Sequence, residues 1–177
     1  DPVIREIELL LAPWIFGCDD ETVVSAIKKI LETRHQTFAC MESVTGGSLA
    51  AEITDCPGIS SCFCGSLTAY TPEAKIRAGV DAALIERYGV VSAEVAVAMA
   101  VAARKAFNSD WGMSTTGVAG PASHEGKAPG TAWVAVSGPA GDKAAFVDWP
   151  GDRVMVKKRV CRTVFQTFLD LLKGRSG

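Results

Sequence analysis

The sequence predicts an α/β fold, a single layered domain in which helices flank a mixed β-sheet. Short apolar runs typical of buried strands alternate with amphipathic helical patterns over most of the chain. Two strand-like runs near the end follow one another directly across a Gly-Pro-Ala-Gly turn, which indicates an antiparallel hairpin. With 177 residues, of which 48% are hydrophobic, the chain suffices for one domain with a substantial core.

The first third of the chain is predicted to contain three helices and one strand. An Asp-Pro pair at the start favours a helix, which together with a short link forms a leader at residues 1–17. Asp19 or Asp20 is expected to cap the second helix, whose apolar residues recur at helical spacing. A buried strand is predicted at residues 37–41. The third helix follows a Gly-Gly pair and ends at the breaker cluster DCPG.

The remaining elements follow from caps, breakers and periodicity. The sequence Thr71-Pro72-Glu73 combines a hydroxyl cap, a proline and an acid in the first helical turn. Ser92 and Asp152 are predicted to cap two longer helices in the same way. In chain order we predict a strand at 64–70, a helix from 71 to 79, helices at 82–88 and 92–107, strands at 112–116, 131–137 and 144–149, and a final helix from 152.

Charge and cysteine content restrict the function. A net charge of −2 gives no electrostatic reason to expect nucleic acid or a membrane surface as partner. No apolar run is long enough to span a membrane and no signal peptide is visible, so we expect a cytoplasmic protein with reduced cysteines. Cys62 and Cys64 would lie on one face of an extended segment, which leaves a metal site as an alternative.

A first polar corner, Ser43-Val44-Thr45-Gly46-Gly47, lies between the first predicted strand and the following helix. Free N–H groups at a helix start suit an anion, and the same donors would stabilise an oxyanion if Ser43 attacked a carbonyl. A helix cap with turn glycines is the structural alternative. The spacing matches neither a P-loop nor a G-x-S-x-G elbow.

A second corner, between Tyr70 and Lys75, places a lysine in the first turn of a helix. The positive end of the helix dipole lowers the pKa of such a lysine, which suits a general base for a serine. A solvated lysine on an exposed turn is the alternative. The chain has two histidines, so a Ser-His-Asp arrangement has few ways to form. His35 is interpreted as a loop residue, whereas His124 lies in a glycine-rich loop where it could touch a ligand.

A third corner, Thr115-Thr116-Gly117-Val118-Ala119-Gly120-Pro121, again follows an apolar run. Its backbone N–H groups can face a ligand, and the long loop that continues to Gly130 is typical of a segment that covers a ligand. Arg153, at the start of the last helix, has a position suited to a phosphate group. An exposed arginine without a ligand is the alternative.

Six segments occur in the order and spacing of one family: ESVTGGSLAAEITDCPG, GSLTAYTPEAK, GVVSAEVAVAMA, TGVAGP, PGTAWVAV and PGDR. On these segments the chain resembles the C-terminal domain of the CinA competence/damage-inducible proteins, which also occurs alone as PncC. The resemblance covers residues 14–173 and implies that residues 18–177 form this domain. Because the chain starts at Asp1 rather than Met, we expect it to be a piece of a longer CinA chain.

The resemblance implies a nicotinamide-nucleotide amidohydrolase, which converts nicotinamide mononucleotide (NMN) and water into nicotinic acid mononucleotide and ammonia. Ser43 would be the nucleophile and Lys75 its base, with Tyr70 as a third catalytic residue. Neither a metal nor a cofactor is implied, and a homodimer is expected on family grounds. The residues expected to bind substrate or its oxyanion are Thr45, Gly46, Gly47, Thr116, Gly117, Gly120 and Arg153.

The sequence departs from the family pattern at Val44, Ser66, Pro72 and the loop 122–126. A non-catalytic nucleotide-binding module of a CinA-type fusion protein is therefore the alternative hypothesis. Turnover separates the two, because a binding module holds the nucleotide without releasing ammonia. A DNA-binding role is disfavoured by the net acidity and by the lack of a basic stripe.

Overall fold

The computed structural model describes Val3, Glu6 and residues 21–139 and 141–174. The predicted leader at residues 1–17 lies almost wholly outside these residues. The described elements are α1 (Val23–Arg34), β1 (Phe38–Glu42), α2 (Ser48–Thr54), a 3₁₀ turn (Ile59–Ser61), β2 (Phe63–Thr68), α3 (Pro72–Arg77), α4 (Ala82–Tyr88), α5 (Ala93–Phe107), β3 (Trp111–Gly117), β4 (Thr131–Gly138), β5 (Gly141–Asp148) and α6 (Arg153–Leu172).

The five strands form one mixed sheet in the order β2-β1-β3-β4-β5. The pairs β1–β2 and β1–β3 are parallel, whereas β3–β4 and β4–β5 are antiparallel. One face packs against α1 and α6 through a large apolar cluster that includes Phe38, Trp111 and Phe168. The other face packs against α5, where Met41 lies beside Val95 and Met99. The predicted α/β fold with a mixed sheet between helices is confirmed.

Local sequence signals explain most helix starts. The side chains of Thr71, Ser92 and Asp152 each accept a backbone N–H of the first turn of their helix, as predicted. The predicted cap of α1 at Asp19 or Asp20 is wrong. Thr22 caps this helix instead, because its hydroxyl accepts the Ser25 N–H while the Ser25 hydroxyl accepts the Thr22 N–H in return.

The hairpin near the end is tighter than predicted. The second strand of this hairpin begins at Gly141 rather than at Ala144, and Gly138 pairs directly with Gly141 across the turn. The strand β2 also ends at Thr68, two residues before its predicted end at Tyr70. Residues 69–71 are therefore free to turn into α3, and this turn places α3 over the end of the sheet.

The parallel strands define where a ligand can bind. After β1 the chain crosses through α2 to β2 on one side, and after β2 it crosses through α3, α4 and α5 to β3 on the other side. Such a reversal of strand order opens a crevice at the carboxyl ends of the strands. All three corners identified in the sequence lie at this edge of the sheet.

Candidate active site

Ser43 is the first residue after β1, and its side chain contacts a buried lysine. The Lys75 ammonium Nζ donates to Ser43 Oγ at 2.9 Å, although the two residues are 32 positions apart in the chain. Lys75 Nζ also donates to the carbonyl oxygens of Ala69 at 3.0 Å and Tyr70 at 3.4 Å. The Ser43 N–H donates to the Thr115 carbonyl on β3 at 2.9 Å. Both members of the pair are thus fixed by backbone contacts on neighbouring strands or loops.

Lys75 is a buried lysine with a lowered pKa rather than a surface cation. It is 1% exposed, so the alternative of a solvated lysine on an open turn is wrong. Burial lowers the pKa of Lys75 from 10.5 to about 8, while the negative charges of Glu125 and Glu73 oppose that shift. The sequence correctly predicts the direction of the shift, but burial rather than a helix dipole is its main cause. Lys75 is the fourth residue of the short helix α3.

The corner after Ser43 is held by a carboxylate that the sequence does not single out. Glu42, the last residue of β1, is fully buried and accepts hydrogen bonds from the N–H groups of Gly47, Leu49 and Ala50. The Gly46 N–H donates to the Ser43 carbonyl at 3.1 Å. The expectation that the N–H groups of Gly46 and Gly47 are free for a ligand is therefore wrong. Their contact with substrate stays a prediction.

Two N–H groups of this corner, those of Val44 and Thr45, have no hydrogen-bond acceptor among the described residues. Of these two residues, Val44 lines the cavity in front of Ser43. Thr45, by contrast, is fully buried, and its hydroxyl contacts Glu42 Oε2 and Thr115 Oγ1, each at 2.7 Å. The Val44 N–H is therefore the unpaired donor that belongs to a cavity-lining residue next to the serine, whereas the Thr45 hydroxyl is engaged within the fold.

A cavity of about 450 Å³ opens above the Ser43–Lys75 pair. Its volume falls in the range typical of small-molecule sites. The cavity brings together seven of the ten residues predicted for the site, whereas Thr45, Gly46 and Gly47 do not line it. The lining residues are Ser43, Val44, Tyr70, Thr71, Pro72, Lys75, Val90, Val91, residues 116–124 and Arg153.

The mouth of the cavity is bridged by an arginine. Arg153 donates from Nη1 to the Gly120 carbonyl at 3.0 Å and from Nη2 to the Tyr70 hydroxyl at 2.8 Å. This bridge joins the start of α6 to two loops from the other side of the crevice. Tyr70 is 55% exposed, and its backbone carbonyl rather than its hydroxyl faces the Lys75 ammonium.

The glycine-rich loop is attached to the wall of the cavity at two points. The Thr116 hydroxyl donates to the Val90 carbonyl at 2.7 Å. Glu125 Oε2 accepts the Val90 N–H at 3.0 Å and closes the loop from the other end. His124 lines the cavity, and its backbone pairs with Lys127 around the loop tip. Glu125 was not identified from the sequence, since a lone acid in a polar loop carries no specific signal.

The cysteines do not form the alternative metal site. Cys62 ends the 3₁₀ turn and is buried, whereas Cys64 lies in β2 and is exposed, so the two thiols do not share one extended face. Within residues 21–139 and 141–174, no group of three or more His, Cys, Asp or Glu side chains is arranged to hold a metal ion. No helix in the described part of the chain is long and apolar enough to cross a bilayer.

Comparison with known proteins identifies a family that matches most of the chain. The family model of the CinA C-terminal domain matches residues 20–172. A CinA-like protein of Fervidobacterium nodosum is 37% identical over 161 residues, which cover 90% of this chain and 40% of the relative. A CinA-like protein of Synechocystis sp. is 39% identical over 155 residues, covering 86% of this chain and 37% of the relative. The chain thus spans about two-fifths of the length of these curated relatives.

Solved structures share the fold. The competence-damaged protein (CinA) superfamily protein from Klebsiella pneumoniae superposes with a TM-score of 0.82 at 22% identity, covering 86% of this chain and 96% of that chain. The corresponding superfamily protein from Escherichia coli gives a TM-score of 0.80 at 25% identity, covering 91% and 98%. These likenesses support the three-layer architecture described above.

Proposed function

Because the chain belongs to the CinA C-terminal domain family, we propose that it is an amidohydrolase that deamidates NMN through a Ser–Lys mechanism. The observation that carries the proposal is the contact between Lys75 Nζ and Ser43 Oγ at 2.9 Å, below a cavity of about 450 Å³. A buried lysine with a lowered pKa is neutral often enough near neutral pH to act as a base.

In the first half-reaction Ser43 Oγ attacks the carboxamide carbon of the nicotinamide group. The Oγ–C bond forms, the hydroxyl proton passes to neutral Lys75, and the carbonyl π electrons move onto oxygen. We assign the Val44 N–H as a donor to this oxyanion, since Val44 lines the cavity next to Ser43 and its N–H is not engaged by another described residue. One well-aimed donor of this kind contributes about 3 kcal/mol in comparable sites.

Collapse of the tetrahedral intermediate then breaks the C–N bond. Lys75 returns its proton to the leaving nitrogen, so ammonia departs and an acyl-Ser43 ester remains. A water molecule attacks this ester with Lys75 again as base, which releases the carboxylate product and restores the Ser43 hydroxyl. Neither half-reaction assigns a step to a metal or a cofactor.

The walls and the mouth of the cavity suit the two ends of the substrate. Val90, Val91 and Val118 provide an apolar wall for the pyridine ring. Arg153 at the mouth carries a guanidinium group, which binds phosphate oxygens well in a bidentate geometry. Amide chemistry would thus take place at the floor and phosphate recognition at the mouth, as a mononucleotide requires.

The proposal is tested by measuring ammonia release from NMN with the parent protein, Ser43→Ala and Ser48→Ala. Ser48 serves as a matched control, because it lies at the start of α2 and does not line the cavity. We expect turnover in the parent and in Ser48→Ala, and a loss on the order of 10³-fold or more in Ser43→Ala. NMN that binds to the parent without ammonia release would contradict the proposal and support the binding-module alternative.

A further inference from the structure

Glu42 is a buried carboxylate at the centre of the corner that carries Ser43. It is 0% exposed and accepts five hydrogen bonds from described residues. Three donors approach Oε2: the Thr45 hydroxyl at 2.7 Å, the Gly47 N–H at 2.8 Å and the Leu49 N–H at 3.0 Å. The Ala50 N–H and the Ser66 hydroxyl approach Oε1 at 2.9 Å and 3.1 Å.

These contacts give Glu42 the role that a cap residue usually has. The helix α2 begins after Gly47, which provides no side-chain cap of its own. The carboxylate of Glu42 reaches across the corner and satisfies the N–H groups that the start of the helix leaves unpaired. Backbone N–H groups can only donate, so both carboxylate oxygens must act as acceptors here. A neutral side chain of the same shape cannot match all five donors.

The same carboxylate closes the corner into a small rigid unit. Residues 43–46 connect Glu42 to Gly47 along the chain. The Glu42 carboxylate accepts hydrogen bonds from the Gly47 N–H at the far end of this segment and from the Thr45 hydroxyl in its middle. The Ser43 N–H donates to the Thr115 carbonyl, and the Gly46 N–H donates to the Ser43 carbonyl. The direction of the Ser43 side chain and of the Val44 N–H is thus determined by a unit that Glu42 holds together.

We propose that Glu42 is a positioning residue, which holds Ser43 Oγ against Lys75 and keeps the Val44 N–H directed into the cavity. This inference rests on the proposed function in one respect, that Ser43 is the nucleophile. Glu42 itself does not line the cavity, so it acts through the backbone of residues 43–47. A misplacement of about 1 Å in such a corner costs on the order of 10²-fold in rate.

The test compares the reactivity of Ser43 in the parent, Glu42→Gln and the matched control Glu52→Gln. Glu52 lies on α2, is exposed and takes no part in the Glu42 contacts. The readout is the rate of covalent labelling by a small alkyl fluorophosphonate, followed by mass spectrometry. In this reaction Ser43 Oγ bonds to phosphorus, fluoride leaves and the hydroxyl proton passes to Lys75. Measurements are made well below the melting temperature of each variant.

We expect folded Glu42→Gln to be labelled on the order of 10²-fold more slowly than the parent, whereas Glu52→Gln matches the parent. In turnover assays the loss should appear in kcat, with KM within about twofold of the parental value. A residue that only stabilises the fold would lower the melting temperature but leave both rates of the folded protein unchanged. Parental labelling in folded Glu42→Gln would therefore overturn the proposal.

Two further outcomes are informative. If Glu42→Gln does not fold, Thr45→Val replaces it, because this isosteric change removes one donor and leaves the carboxylate in place. We then expect a labelling rate reduced by at least about tenfold, because the buried contacts of the Thr45 hydroxyl with both Glu42 and Thr115 are lost, and a parental rate would overturn the inference. No labelling of Ser43 in the parent, with the fold intact, would overturn the nucleophile itself and with it the role of Glu42.

Discussion

The floor of the cavity, formed by Ser43, Lys75 and the underlying Glu42, differs from its rim, formed by Tyr70, Gly120 and Arg153. The three floor residues are 7%, 1% and 0% exposed, whereas Tyr70 at the rim is 55% exposed. Every polar side-chain group of the floor has partners within the fold. At the rim, Arg153 bridges the two loops that carry Tyr70 and Gly120.

Under the proposed function, this difference separates chemistry from recognition. In the buried floor, desolvation shifts a pKa and strengthens hydrogen bonds, so geometry and protonation are set before a ligand arrives. At the exposed rim, contacts are weaker and can be exchanged for contacts with a ligand. The departures from the family pattern occur in both regions. Val44 and Ser66 lie at the floor, where the Ser66 hydroxyl donates to Glu42, while Pro72 and residues 122–124 line the cavity farther out.

The largest expected effect comes from removing the base in the floor. Lys75→Met keeps an unbranched side chain of similar length but cannot accept the Ser43 proton. We expect kcat for ammonia release from NMN to fall on the order of 10³-fold, within the range for loss of general base catalysis. NMN affinity, measured by calorimetry, should stay close to the parental value, because the rim is intact.

Lys158→Met is the matched control for this change. Lys158 is exposed on α6 and does not line the cavity, so we expect its turnover to be close to that of the parent. If folded Lys75→Met keeps more than about one-tenth of the parental kcat, Lys75 is not the general base. The distinction between a catalytic floor and a binding rim would then no longer hold.

The sequence predicts the fold well because the signals for its elements are local. Caps at Thr71, Ser92 and Asp152 act within one turn, and the apolar stripe of α6 has helical spacing. The cap of α1 was missed because the run DDET offers three residues that can cap a helix, two aspartates and a threonine. Only the reciprocal bonds between Thr22 and Ser25 decide among them.

The site is predicted less completely, since its contacts are distant in the chain. Ser43 and Lys75 were paired through the family resemblance, because nothing in the segment EAKIR indicates that its lysine is buried. Glu42 stands at the end of the apolar run FACME, an unusual place for an acid. Its partners lie up to 24 residues away, however, and the register of β1 and β2 is needed to see them.

A second prediction concerns the pH dependence that the buried floor should produce. Burial lowers the pKa of Lys75 to about 8, and only the neutral amine can take the serine proton. We therefore expect kcat/KM to rise with pH through about 8, by about tenfold between about pH 7 and pH 9. Initial rates across this range, with folding checked by circular dichroism, measure the effect.

The variant Glu125→Gln tests whether the pH dependence comes from Lys75. The negative charge of Glu125 raises the pKa of Lys75 against the effect of burial, so its removal should move the midpoint to lower pH. The amide oxygen of glutamine can still accept the Val90 N–H, which keeps the loop attached. A flat profile in the parent over this range would show that Lys75 does not titrate as the base.

The smallest expected effect comes from the rim, through Tyr70→Phe. The Tyr70 hydroxyl contacts Arg153 at 2.8 Å, so its loss removes one exposed hydrogen bond and leaves Lys75 with its backbone partners. Since exposed contacts of this kind contribute about 0.5–1 kcal/mol, we expect KM for NMN to rise a few-fold while kcat stays close to the parental value. Steady-state kinetics separates the two parameters, and Tyr88→Phe, outside the cavity, is the control. A fall in kcat of tenfold or more would instead place the Tyr70 hydroxyl in the chemistry, as the family resemblance implies, and would extend the catalytic floor to the rim.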